Sequence, residues 1–368
     1  MKHRLIPYFI ATFLAATLLP PVAVQAAPYA AVVMDARHGK IYHSRNADTR
    51  LHPASLTKMM TLYVAFQAIE KNEISLDSYV TVSRNAAAEP PSKLWLKRGQ
   101  KIKLRYLIRA AAIKSANDAA TAIGEAISGS EAAFAKRMTR TARAMGMSRT
   151  TFKNAHGLTR SGHLSTARDM TILGRHMIYD YPQYYNLFSR RSADAKIRKV
   201  NNTNRRFLAA YKGADGIKTG YTRAAGFNLV ASAERGGERI IATMFGGSST
   251  AARNKRVAQL LDMGFDRAPS TAKLQRPSLP PYDQNENENG GKTLRLVTAV
   301  KRSLRPKMRP FGEASAPEEP LLAALPDVQV QPDDILTAVQ SATSGAVAVQ
   351  VSASTYDPEM STTAPRAR

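Results

Sequence analysis

The sequence predicts an α+β fold: an antiparallel sheet flanked by helices, with a helical lobe inserted between the two halves of the sheet and a largely disordered C-terminal tail. Three observations lead there. Strand-like alternation occurs at both ends of the stretch from Tyr29 to Asp266, helical spacing fills its middle, and the composition changes sharply after Ala268.

The elements follow in order. Ala31-Val32-Val33-Met34 and Lys40-Ile41-Tyr42 flank Arg37-His38-Gly39, the pattern of two strands joined by a turn. A helix is expected from about Ala54 to Glu70, with Pro53 just before its start, where a missing N–H costs little. From about Leu76 to Asp180 the text is mostly helical, with alanine-rich stretches at Arg109–Ile127 and Glu131–Met145 and breaks at Gly146 and Gly157. Strand patterns return at Gly216–Thr222, Phe227–Ala233 and Arg239–Phe245, the last two joined through Gly236-Gly237, and a final helix runs from about Thr250 to Met263. The two early strands and the three late ones can complete one sheet.

The flanks are different in kind. Met1-Lys2-His3-Arg4 is a short basic start, and an apolar run from Leu5 to Val24 leads to small residues at Ala26. This reads as a secretory signal peptide over 1–26 that sends the chain to the periplasm or another extracytoplasmic site in the cell envelope; a retained anchor is the alternative. The folded domain is expected over 27–268. Residues 269–368 are proline-rich, with a low-complexity run at Asn285–Gly291, and read as a largely disordered tail. Within it Leu294, Val297, Val300 and Leu304 recur among Arg295, Lys301, Arg302 and Arg305. That island reads as a solvated segment, with a basic amphipathic helix making weak membrane-surface contact as the alternative.

Composition excludes several chemistries. The chain has no cysteine, which removes thiol catalysis and cysteine metal sites, and its seven histidines form no paired ligand motif, so neither metal nor cofactor is expected. The formal net charge of +25 favours an anionic partner. No nucleic-acid motif accompanies it, and behind a signal peptide the fitting partners are carboxylate-rich wall polymer or anionic headgroups.

Three short motifs carry the chemistry. In Ser55-Leu56-Thr57-Lys58, residues three apart share a helix face, so the hydroxyl and the amine can meet. An alkyl hydroxyl is a poor nucleophile without a base. Lysine serves as that base only if burial or a cationic neighbour pulls its pKa down, and Leu56, Met59, Met60 and Tyr63 offer apolar surroundings. In Ser115-Ala116-Asn117 a second hydroxyl can relay a proton, and an amide can hold a substrate carbonyl. In Lys218-Thr219-Gly220, inside an expected edge strand, a cation can sit near a developing oxyanion and a substrate carboxylate, and glycine permits close backbone approach. Each motif alone arises by chance as a helix cap, a loop or a turn; their order and separation together are far more specific.

The set is similar to the S-x-x-K, S-D-N and K-T-G motifs of penicillin-binding proteins and β-lactamases, with Ala116 in place of the aspartate. The longer runs His52–Met60, Asn154-Ala155-His156-Gly157-Leu158, Ser165–Met170 and Lys218–Leu229 resemble the low-molecular-weight serine D-alanyl-D-alanine carboxypeptidases over roughly Ala27 to Asp266. The resemblance implies a β-lactamase/transpeptidase-like fold. It implies a serine hydrolase that removes the terminal D-alanine of peptidoglycan stem pentapeptides and is inhibited covalently by β-lactams. Ser55 would be the acylated nucleophile, Lys58 its base and Ser115 a proton shuttle. Asn117 would orient substrate, Lys218, Thr219 and Arg253 would meet its carboxylate, and the N–H groups of Ser55 and Tyr221, next to Gly220, would form the oxyanion hole. Tyr221 stands where some relatives carry histidine, and the membrane-proximal β-domain usual in the family is not readable after Ala268. D,D-endopeptidase or β-lactamase activity on the same fold is the alternative. No glutamate lies between Glu131 and Glu234, where a class A β-lactamase would place the one that activates its deacylating water.

Overall fold

The computed structural model describes residues 27–282. The expected signal peptide and the tail from 283 onward, with its basic island, lie outside the described residues.

A five-stranded antiparallel sheet, in the order β2-β1-β9-β8-β7, joins the two ends of the domain as expected. Its strands are β1 (Ala30–Asp35), β2 (Ile41–Arg45), β7 (Ala214–Thr222), β8 (Gly226–Arg235) and β9 (Glu238–Gly247). The period-2 pattern explains why the sheet is covered on both faces. Val33, Leu229, Ala231, Ile240 and Ala242 face one way and pack with Val257, Leu260 and Leu261 of the C-terminal helix α9 (Thr250–Arg267). Val32, Val230, Ile241 and Phe245 face the other way and join the larger core with Met170 and Leu173 of helix α6 (Ala167–Tyr179).

The lobe between β2 and β7 is helical, as its spacing predicts. Its axis is α1 (Thr57–Glu70), which Ala54–Leu56 enters as a short 3₁₀ turn. Residues Thr57 to Ala68 are all buried, because α1 is wrapped by α4 (Asn117–Ser128), α5 (Glu131–Ala144) and α6. The alanine-rich stretch from Arg109 to Ile127 is helical but not one continuous helix. A π-helical turn at Ala110–Lys114 ends in Ser115 at φ 64°, and α4 starts afresh at Asn117. Two small strand pairs, Tyr79–Thr81 with Lys101–Lys103 and Ser192–Asp194 with Lys199–Asn201, carry too few residues for alternation to reveal them.

The chain beyond the expected boundary at 268 runs on as an extended strap. Arg37, buried and paired with Asp35 at 2.8 Å, donates to Pro269 O at 2.8 Å, and Gln275 N donates to Arg37 O at 2.8 Å. Arg175 of α6 bonds Gln275 O, and the Tyr282 hydroxyl meets the Glu73 carboxylate just beyond α1, its ring facing Arg137 at 5.6 Å. The strap from Pro269 to Tyr282 should therefore add to the thermal stability of a chain that ends at Tyr282. Ending it after Ala268 should lose about 1–2 kcal/mol, roughly 2–8 °C in melting temperature, with peptide turnover retained. Calorimetry of the two truncations checks this, and equal melting temperatures would make the strap incidental.

Candidate active site

The three motifs meet where the start of α1, the start of α4 and edge strand β7 converge. Glycine makes the approach possible. A β-carbon on Gly220 would lie 2.9 Å from Pro53 O and 3.2 Å from the Ser55 and Leu56 nitrogens. One on Gly157, at φ 92°, would lie 1.9 Å from Ala54 O. Any larger residue at either place would push β7 or the 154–158 loop off the turn that carries Ser55. Ala54 itself takes φ 50°, a conformation that costs a non-glycine residue roughly 1–3 kcal/mol. The packing around this turn leaves Ser55 as the only residue from Pro53 to Met60 that is not fully buried.

Lys58 is buried at 0% exposure, and its Nζ has three neighbours. Asn117 Oδ1 and His156 O lie at 2.7 Å each, and Ser55 Oγ at 3.0 Å. A neutral amine has two hydrogens and one lone pair. The two carbonyl oxygens accept its hydrogens, and the lone pair is left for the Ser55 hydroxyl. Burial, then the charge of Lys218, holds Lys58 well below the ordinary lysine pKa, against opposing pulls from Glu89 and Asp118. Burial and Arg253 bring Lys218 down to about 7. Lys218 Nζ donates to Ser115 Oγ at 2.9 Å and to Thr219 O at 3.0 Å, so Ser115 stands on the second lysine.

The remaining expected residues lie around this centre. Thr219 Oγ1 is 2.7 Å from Thr203 Oγ1. Tyr221 is exposed, its ring tilted against Phe227 at 4.3 Å. Arg253 is a buried residue on α9 rather than one of that helix's surface arginines, and burial lowers its pKa to about 10. Its Nη1 reaches Asn228 O at 3.4 Å, and its Nε and Nη2 donate to Asn254 Oδ1 at 3.1 and 2.9 Å.

Sequence reasoning missed two supports. Asp118, next to Asn117, accepts from Leu94 N at 2.9 Å and Leu96 N at 3.1 Å; it fixes the 92–97 loop whose Ser92 O accepts from Asn117 N at 2.7 Å. The second is a clamp on the 154–158 loop. Leu158 N donates to His156 Nδ1 at 3.1 Å, which puts the ring proton on Nε2, and Nε2 faces Glu89 at 3.2 Å and Glu131 at 3.3 Å. Thr121 donates to Glu89 at 2.9 Å, and Ala155 N donates to Glu131 at 3.1 Å. These three side chains are the one group of possible metal ligands among the described residues. With the Nε2 proton aimed at both carboxylates, the group satisfies itself as a hydrogen-bonded clamp that steadies the carbonyl His156 offers to Lys58. Glu89→Gln should slow acylation about 3- to 10-fold, because it weakens a charge-assisted bond, and should move the acid limb of the pH–rate curve to lower pH, because a negative charge favouring protonated Lys58 is gone. An unmoved limb would limit Glu89 to packing.

Residues 16–249 match the S11 peptidase family, described as D-alanyl-D-alanine carboxypeptidase. The chain belongs to that family. It is 38% identical over 242 residues to the D-alanyl-D-alanine carboxypeptidase DacF of Bacillus subtilis, an alignment covering 64% of this chain and 62% of DacF. The chain thus spans about three fifths of the length of this curated relative. Among solved structures, penicillin-binding protein 5 of Haemophilus influenzae superposes with a TM-score of 0.62 at 34% identity, over 68% of this chain and 73% of that one. Penicillin-binding protein D2 of Listeria monocytogenes, in its ampicillin-bound form, gives 0.59 at 33% identity, over 67% of this chain and all of that one. The S11 fold accounts for the antiparallel sheet with its inserted helical lobe.

Proposed function

We propose that this chain is a serine D-Ala-D-Ala carboxypeptidase of the cell envelope, acting outside the cytoplasm on peptidoglycan stem pentapeptides. The observation that carries the reading is the buried Lys58 amine, its two hydrogens directed to Asn117 Oδ1 and His156 O and its third neighbour being Ser55 Oγ. In this reading Ser55 Oγ attacks the carbonyl of the penultimate D-alanine while Lys58 takes the hydroxyl proton. The tetrahedral oxyanion accepts from the N–H groups of Ser55 and Tyr221. Collapse breaks the amide bond, and Ser115, held by Lys218, relays the proton that Lys58 took to the departing amine, which returns Lys58 to its neutral form. D-Alanine leaves, and water, activated by Lys58 with Ser115, hydrolyses the ester. Asn117 holds the substrate amide, and the carboxylate lies against Thr219 and Arg253 at the end of edge strand β7, along which an extended peptide can add.

β-Lactams would acylate Ser55 in the same way, as the ampicillin-bound relative suggests. Incubation with a fluorescent penicillin and then with a pentapeptide ending in D-Ala-D-Ala tests the reading. A covalent band together with released D-alanine supports it, and fast turnover of a chromogenic cephalosporin would move the assignment to a β-lactamase. Sedimentation of full-length and truncated chain with anionic liposomes tests the alternative for the tail's basic island, a weak contact with a membrane surface, against a solvated segment.

Arg253→Ala should lower kcat/KM for the peptide about ten- to two-hundred-fold, since one charged hydrogen bond is worth roughly 1.5–3 kcal/mol. Acylation by an ester lacking the carboxylate should change little. Equal losses on both substrates would reduce Arg253 to a packing role.

A further inference from the structure

The turn that presents Ser55 contains Ala54 at φ 50°, and a residue in that conformation persists only where its surroundings hold it there. The entry to the turn is held from β8, where Asn228 Nδ2 donates to His52 O at 3.1 Å and to Pro53 O at 3.3 Å. The exit is held by a residue that takes no part in the proposed chemistry. His163 Nε2 lies 2.8 Å from Thr57 Oγ1, and Thr57 is the first residue of α1, between Ser55 and Lys58. The main-chain oxygen of the same His163 accepts from His52 Nδ1 at 3.1 Å. One residue thus grips both flanks of Pro53–Leu56.

The direction of the Thr57 bond is fixed. Lys153 N donates to His163 Nδ1 at 3.1 Å, so the ring proton sits on Nε2 and is given to the Thr57 hydroxyl. Burial, then the charges of His156 and His52, holds the His163 pKa down to about 3, so the ring stays neutral and keeps this tautomer wherever a lysine can act as base. The mount is firm. Leu51 N donates to Ser165 O at 2.7 Å and Ser165 N to Leu51 O at 2.9 Å, while Thr151 N donates to Leu164 O at 2.9 Å. The His163 ring is 1% exposed and stands edge-on to Phe152 at 5.7 Å. Thr57 is pressed from the other side by the loop that offers His156 O to Lys58: a β-carbon on Gly157 would lie 2.8 Å from Thr57 Oγ1. A shift of Thr57 is therefore a shift of Ser55 and Lys58 relative to each other.

We propose that His163 is a positioning residue for acylation: through Thr57 it fixes the turn so that Ser55 Oγ stays within reach of the Lys58 amine. The proposal rests on the Ser55 acylation reading above. It is tested on the full chain by rapid-mixing measurement of penicillin labelling, which separates the initial binding constant from the rate of the covalent step. His163→Leu should slow the covalent step about ten- to a hundredfold, the scale of a small misplacement of reacting groups, with initial binding within about threefold of wild type. His163→Gln, whose amide N–H can still donate to Thr57, should recover the rate to within about threefold. Thr57→Val removes the acceptor while keeping the shape, and serves should the leucine variant fold poorly; it should match His163→Leu. The double variant should be no slower than the slower single one by more than about threefold, because both substitutions break one bond. The rising limb of the peptide pH–rate curve should stay in place in every variant, because a neutral ring adds no charge near Lys58. A covalent step within about threefold of wild type in both single variants, fully multiplying losses in the double variant, or a fall in initial binding as large as the fall in rate would overturn the positioning role and leave the serine mechanism standing. A wild-type chain that penicillin does not label would sink the underlying reading and the proposal with it.

Discussion

Ser55→Ala is expected to abolish covalent labelling by penicillin and to lower peptide turnover on the order of a million-fold, the scale on which removal of a serine nucleophile acts. The size of the loss follows from the packing. Every other residue from Pro53 to Met60 is buried, so no neighbouring hydroxyl on that turn can take its place. Ser115, a second hydroxyl of the site, is held by Lys218 at 2.9 Å. The wild-type adduct should also be long-lived. After penicillin opens, its amine stays tethered where water must approach, whereas released D-alanine clears that space. The glutamate Glu89, which faces Lys58 electrostatically, is engaged by His156 and Thr121. Intact-mass measurement reads both outcomes. A Ser55→Ala chain that still gains the mass of penicillin would place the nucleophile elsewhere.

Lys58→Arg should fail almost as completely, in acylation and deacylation alike. Guanidinium keeps the charge but cannot be deprotonated in a protein, so no lone pair faces Ser55. The pH dependence of the intact chain follows from the same lone pair. Burial and Lys218 depress the Lys58 pKa, so the amine becomes neutral well below the ordinary lysine range. Only the neutral amine is a base, so kcat/KM for the peptide should rise with pH through the folded-state pKa of Lys58. Lys218 pushes Lys58 toward the neutral form; Glu89 and Asp118 push it toward the charged form. Substituting Lys218→Gln should accordingly move the rising limb to higher pH, even as it lowers the plateau. Measured pH–rate profiles of wild type and Lys218→Gln decide this. A limb that stays in place would remove Lys218 from the control of Lys58.

Much of this protein was legible along the chain because the signals are local. Alternation in Ala31–Met34, Phe227–Ala233 and Arg239–Phe245 is a property of neighbours two apart, and it gave the strands of one antiparallel sheet. The spacing of Ser55 and Lys58 is one helical turn, and the three motifs and longer matching runs pointed to the family that residues 16–249 match. What the tertiary structure decided are the contacts between distant segments. The Lys58 bond to His156 O spans 98 residues, and the Lys218 bond to Ser115 spans 103. The clamp of Glu89, Glu131 and His156, the role of Asp118, the strap to Tyr282 and the bond from His163 to Thr57 leave no periodic trace, because nothing in their immediate neighbours depends on them. Burial decides their chemistry as well. In the proposed reaction a lysine can serve as the base because burial depresses its pKa, and that burial is made by packing three separate segments against one helix.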